Sequence, residues 1–192
     1  MLFISGWILT LLATPALIWA AHNFNLLDHP DERKQHQGAV PLVGGLAMSF
    51  AIAVSAAWSL AGTDIFWGLF ASVSIIVIVG FMDDWVGMPV GIRFLAQGIA
   101  ALIVALFAGA QLANLGDLFG FGHIAMGALA VPFTVFAVVG VANALNLSDG
   151  MDGLAGGLAL IATAFLAIAA HVSGSERTLV ALLILGGALI GF

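Results

Sequence analysis

The sequence predicts an all-α fold: a polytopic integral membrane bundle of six complete transmembrane helices plus a truncated seventh. Three observations predict it. Hydrophobic residues fill 62% of the 192 positions and charged residues only 7%, whereas charged residues make up about a quarter of an ordinary soluble domain. The apolar residues fall in runs close to the roughly 20 residues that one helix needs to cross a bilayer. The period-two alternation that marks the strands of a membrane barrel is absent.

Taken in order, the expected spans are Leu2 to Ala21, Leu42 to Leu60, Ile65 to Val79, Ile92 to Leu112, Ile124 to Leu145, Leu154 to Ala170 and Thr178 to Phe192. The first has no basic residue ahead of it and is followed by further spans, so it reads as a membrane helix and not as a cleaved signal peptide. No repeat, linker or low-complexity tract interrupts the chain, and residues 1–192 read as a single transmembrane domain.

Alternate loops lie on the same side of the membrane. Those near residues 23–41, 81–93 and 146–153 hold Arg33, Lys34 and Arg93, while the opposite loops hold only Arg177. The positive-inside rule therefore places the first set in the cytoplasm and the N-terminus outside. Of the ten acids, Asp28, Asp31, Glu32, Asp83, Asp84, Asp149 and Asp152 share that cytoplasmic side. Acids contribute little to orientation, so the excess suggests a cation site. A net charge of −6 with four basic residues argues against a nucleic-acid partner, because there is no basic stripe to neutralise phosphates. With no cysteine in the chain, disulfides and thiolate metal sites are excluded.

Three polar stretches carry the candidate chemistry. Asp28 to Gly45 holds Arg33 and Lys34, a fork and a point charge suited to phosphate oxygens, with His29 and His36 as further donors. Its bland reading is a solvated loop. Gly44-Gly45, at the start of the second span, would let other backbone come close. In Gly80-Phe81-Met82-Asp83-Asp84-Trp85, two adjacent carboxylates close a helix whose dipole they oppose, which asks for a counter-charge. Side chains one residue apart diverge by about 100°, so both could reach one ion only if the helix unwound there. Trp85 suits an interfacial anchor. In Asn143 to Gly157, Asn146, Asp149 and Asp152 recur every third position over one helical face, and Asn143 falls outside it. Gly150 and Gly153 favour a turn or a broken helix, while Gly153 and Gly157 also have the GxxxG spacing of close helix packing.

In this order and on this side, the stretches resemble the polyprenyl-phosphate N-acetylhexosamine-1-phosphate transferase family (glycosyltransferase family 4). Phe81-Met82-Asp83-Asp84 is similar to the family's paired aspartates, Asn143 to Ala155 to its NxxNxxDGxDGLA segment, and Asp28 to Gly45 to its WecA/TagO-like branch. The resemblance implies transfer of N-acetylglucosamine 1-phosphate from a UDP-sugar donor to a polyprenyl phosphate lipid acceptor, releasing UMP, at a bacterial inner membrane, to initiate a cell-envelope polysaccharide. It implies Mg²⁺, with Mn²⁺ as the alternative ion. It assigns Asp83 and Asp84 as catalytic, Asn146, Asp84 and Asp149 as metal contacts, and Arg33, Lys34, His36, Asp149 and Asp152 as substrate-binding residues. A homodimer is compatible with it. Members of the family carry a further aspartate in a GDxGS-like segment and a later histidine-rich loop. Neither occurs here, so the chain is expected to be an N-terminal portion that is inactive alone.

Three other readings compete. An MraY-like branch would take the muramoyl-pentapeptide nucleotide. A transporter also places carboxylates on broken helices, but near the bilayer midplane. A structural membrane subunit would use its glycine faces for contact and leaves the clustered acids unexplained.

Overall fold

The computed structural model describes residues 1–24, 26–28, 40–41, 43–148 and 153–192. Among these residues seven α-helices follow one another: α1 Leu2–Phe24, α2 Gly44–Leu60, α3 Asp64–Val86, α4 Val90–Phe107, α5 Ala130–Ser148, α6 Leu154–Val172 and α7 Glu176–Gly191. Five of them are long and apolar enough to cross a membrane, and the protein is a multi-pass membrane protein. The 17 residues of α2 and 16 of α7 fall short of the roughly 20 that a full crossing takes. Two-residue strands, β1 Leu27–Asp28 and β2 Val40–Pro41, pair antiparallel and draw together the two ends of the first polar stretch.

The helix boundaries follow local chemistry. At the start of α3, the Thr63 side chain accepts a hydrogen bond from the Phe66 N–H at 3.2 Å, satisfying one of the free amides of the first turn. At its end, Gly87 adopts φ +69° and its N–H donates to the Asp83 carbonyl at 2.9 Å. Pro89 then precedes α4, where its missing N–H costs nothing.

Two expected spans are corrected. Residues 108–112 and 124–129, expected in helices, lie outside α4 and α5. The ends of these two runs are apolar, yet all five glycines between α4 and α5, Gly109, Gly116, Gly120, Gly122 and Gly127, take positive φ, which an α-helix does not accommodate. In the other direction, α3 continues beyond Val79 to Val86 and carries Asp83 and Asp84 on intact helix.

The helices pack as two linked groups. In one, α1 and α7 lie against each other, with α2 and α6 beside them; in the other, α4 is sandwiched between α3 and α5. The buried core is built largely of alanine, including Ala47 and Ala51 on α2 and Ala96, Ala100 and Ala105 on α4. Small residues let helix backbones approach where lipid removes the hydrophobic drive to associate. Ser72 of α3 donates across this contact to the Ala100 carbonyl at 2.9 Å. An apolar cavity of about 460 Å³ remains between α2, α3 and α7.

Among the described glycines, those that meet opposing helix backbone most tightly join α1 and α7. A Cβ added at Gly187 would collide with the Phe3 carbonyl oxygen and lie 3.0 Å from the Trp7 nitrogen; one at Gly191 would meet the Trp7 carbonyl. Gly187 and Gly191 have GxxxG spacing, and Gly6 of α1 faces the Ile184 carbonyl just as tightly. This corrects the expectation for Gly153 and Gly157, which face open space. Gly153 instead serves the turn, with φ +77° at the N-cap of α6. Gly44 is close to a neighbour as expected, although the neighbour is the Phe192 ring and not backbone, and Gly45 faces open space.

Candidate active site

The polar end of the bundle is where α3 finishes, α4 begins and α5 finishes. Asp83 sits in the last turn of α3, where a negative charge meets the negative end of the helix dipole. Two donors compensate it. Arg93, in the first turn of α4, donates from a guanidinium nitrogen to one carboxylate oxygen at 2.9 Å, and the Met88 N–H donates to the other at 2.8 Å. The Asp83 side chain is 21% exposed and that of Arg93 36%, so the pair is only partly screened by water. It clamps the connection 87–89 and fixes how α4 leaves α3.

Asp84 is exposed on the same turn. Because α3 is unbroken through Val86, the two carboxylates diverge by about 100°, and the unwinding that would converge them on one ion is not present. The Phe81 and Trp85 rings lie tilted at 49° to each other, centroids 6.0 Å apart, with Trp85 exposed. This arrangement suits the interfacial anchor expected of Trp85.

On α5, the first amide of the third stretch turns inward and the second outward. Asn143 is half-buried and donates through its amide nitrogen to Gln97 Oε1 of α4 at 2.6 Å and to the Val139 carbonyl at 2.8 Å. Asn146, one turn on, is exposed at the polar end. The separation expected from helical spacing is therefore present, with the inward residue fixing helix rotation and the outward one available to a ligand.

Arg33, Lys34, His36, Asp149 and Asp152 lie outside the described residues, as does His29. Among the described residues, no three histidine or acidic side chains gather closely enough to hold a metal ion. Sequence reasoning missed two participants. In the sequence Arg93 reads only as an orientation charge, and Gln97 has no assigned role. A signal was available: they are the only two strongly polar side chains of α4, and their four-residue spacing places both on one helical face.

With this geometry established, comparison with known proteins is informative. A family model described as Glycosyl transferase family 4 matches residues 66–192. An undecaprenyl-phosphate alpha-N-acetylglucosaminyl 1-phosphate transferase from Yersinia pestis is 33% identical over 154 residues, covering 80% of this chain and 42% of the relative. A Bacillus subtilis (strain 168) protein named "Probable undecaprenyl-phosphate N-acetylglucosaminyl 1-phosphate transferase" is 31% identical over 192 residues, covering 99% of this chain and 53% of the relative. The Escherichia coli (strain K12) undecaprenyl-phosphate alpha-N-acetylglucosaminyl 1-phosphate transferase is 32% identical over 147 residues, covering 75% of this chain and 39% of its own. The chain thus spans about half, or less, of the length of these curated relatives. The matched region runs from α3 to α7 and includes both the aspartate pair and the Asn143 to Gly157 stretch, and the chain belongs to glycosyl transferase family 4.

Proposed function

We propose that this chain serves transfer of N-acetylglucosamine 1-phosphate from UDP-N-acetylglucosamine to undecaprenyl phosphate, releasing UMP, at the cytoplasmic face of a bacterial inner membrane. The N-terminus is then outside, and residues 23–41, 81–93 and 146–153 of its transmembrane domain face the nucleotide. The names of the relatives support the reaction. The observation that carries the reading is the placement of Asp83 and Asp84 in the last turn of α3 and of Asn146 in the last turn of α5, on either side of α4. A transport pathway would instead favour acids near mid-span.

The chemistry requires a diphosphate and a phosphate to meet despite like charge, and phosphoryl transfer relies mainly on positioning and charge stabilisation. Asp84 and Asn146 offer exposed carboxylate and amide oxygens, the hard donors that Mg²⁺ prefers. They fit as its holders, with Asp149 the third candidate. When bound, the ion supplies the positive charge that lets the two phosphates approach. Asp83 has each oxygen engaged by a donor, so its role is to hold Arg93 and the 87–89 turn beneath the phosphates. Arg33, Lys34 and His36 would take phosphate oxygens, and Asp152 the nucleotide side. A phosphate monoester has a second pKa near about 6, so the acceptor needs no strong base; Asp84 orients it or removes a residual proton. In-line displacement is the simplest course, and trapping a phosphorylated enzyme with donor alone would overturn it.

The test is UMP release in membranes expressing the gene product that carries this sequence, supplied with UDP-N-acetylglucosamine and undecaprenyl phosphate. Transfer should require Mg²⁺ and stop with EDTA. Asp84→Asn should nearly abolish it. Solute flux without UMP release would favour a transporter instead.

A further inference from the structure

The loop between α4 and α5, residues 108–129, belongs to the opposite end of the bundle from the candidate site. It folds back as a narrow ribbon: Leu115 N–H donates to the Ile124 carbonyl at 3.0 Å, Ile124 N–H to the Gly116 carbonyl at 3.1 Å, and Met126 N–H to the Ala113 carbonyl at 2.9 Å. A two-stranded ribbon is marginal alone, and this one is tied down at its base. The Gln111 side chain donates to the Ala105 carbonyl of α4, and the Leu112 N–H donates to the Thr134 hydroxyl of α5, both at 2.9 Å. Ala105 lies before the end of α4 and Thr134 a full turn inside α5, so the ribbon starts at the level of the spans.

The tip is unusual for a loop on a polytopic protein. Leu118, Phe119 and Phe121 are 62%, 72% and 95% exposed, and Asp117 is the only formally charged residue from 108 to 129. Gly120 and Gly122, at φ +77° and +99°, force a turn between and after the two rings that other residues would resist. Large apolar groups exposed together in this way mark contact surfaces. The surface they continue is lipid-facing: Phe107 at the end of α4 and Leu129 before α5 are also exposed, as are Trp58 and Trp67 at the same end of α2 and α3. Exposed tryptophans at helix ends mark the headgroup level.

We propose that the tip of this ribbon docks into the lipid interface of the adjoining leaflet, with Leu118, Phe119 and Phe121 among the headgroups and upper acyl chains. The partner is a lipid surface, recognised by apolar and aromatic contact and not by charge. The tip thereby pins the α4–α5 pair at a set depth, and α5 carries Asn146 at its far end. This inference rests on the membrane bundle alone, not on the proposed transfer reaction.

These 192 residues hold no cysteine, so in the gene product that carries them the test needs only that any cysteine elsewhere be replaced by serine. Single variants Phe121→Cys and Leu118→Cys are labelled with a nitroxide in phosphatidylcholine–phosphatidylglycerol liposomes, and collision with oxygen and with a water-soluble nickel chelate is measured by power-saturation electron paramagnetic resonance. Labels at Phe136→Cys, exposed in mid-α5, and Ser173→Cys, in the polar α6–α7 turn, give the lipid and water references. The expected result is several-fold lower nickel collision at both tip positions than at 173, with oxygen collision approaching that at 136. Nickel collision equal to that at 173 would place the tip in water and overturn the proposal. Low collision with both reagents would also overturn it, by showing that protein, from a second copy or another segment, covers the tip.

Discussion

Replacing Gly187 by alanine tests the α1–α7 seam with a single methyl. The new Cβ would overlap the Phe3 carbonyl oxygen and sit 2.9 Å from its carbon and 3.0 Å from the Trp7 nitrogen. All three are backbone atoms, so no rotamer change can make room, and α7 must withdraw from α1 by roughly 1 Å, which forfeits a quarter to a half of the dispersion attraction across the moved contacts. Overpacking costs about 1–3 kcal/mol, and with backbone on the opposing side the upper value applies. At about 2–4 °C per kcal/mol for a chain of this size, the apparent Tm in detergent should fall by roughly 6–12 °C. The control is Gly156→Ala in α6, where a Cβ meets nothing within 4 Å and the helix gains up to about 1 kcal/mol. Thermal unfolding followed by size-exclusion recovery reads both. Equal Tm values for Gly187→Ala and Gly156→Ala would refute the reasoning, because one seam would then be no tighter than open space.

Three further substitutions probe the polar end and its supports. Arg93→Leu removes a charge-assisted hydrogen bond from Asp83, worth about 1.5–3 kcal/mol. UMP release should drop by roughly one to two orders of magnitude, with Arg93→Lys losing less; unchanged turnover in Arg93→Leu would dissociate the ion pair from the reaction. Gln97→Leu leaves the Asn143 amide without its partner on α4 at a cost of about 1 kcal/mol. Its transfer rate should fall, with Gln97→Glu recovering much of it because an acceptor oxygen is restored. Ser72→Ala deletes the hydroxyl link to Ala100; interhelical bonds of this kind average about 0.6 kcal/mol, so Tm should fall by only roughly 1–2 °C, and a much larger drop would contradict that weight.

Much of the fold is legible along the chain. Seven apolar runs become seven helices because the mean hydropathy of a run is a local property, and lipid demands that each run satisfy its own backbone hydrogen bonds. The misreadings arise where hydropathy and backbone conformation part company. Residues 108–112 and 124–129 are apolar enough to extend the flanking spans, but they lie outside α4 and α5, and positive φ at Gly109 and Gly127 gives them to the connecting loop. At the site, the need of Asp83 for a counter-charge follows from its helix-end position, but Arg93 was not recognised as the partner that meets it. The inward turn of Asn143 relative to Asn146 follows from helical geometry, while its bond to Gln97 does not.

The sequence by itself determined the membrane class, the number of helices, and the end of the bundle at which the acids of α3 gather. These depend on composition and short-range periodicity, which the chain carries in order. Only the tertiary structure decided that Gly187 and Gly191, and not Gly153 and Gly157, form the close seam, that Arg93 holds Asp83, and that Gln97 holds Asn143. Each of these depends on the rotation and lateral neighbours of a helix. In an alanine- and glycine-rich bundle, several faces of one helix are smooth enough to pack, so the pairing is settled by all the helices together.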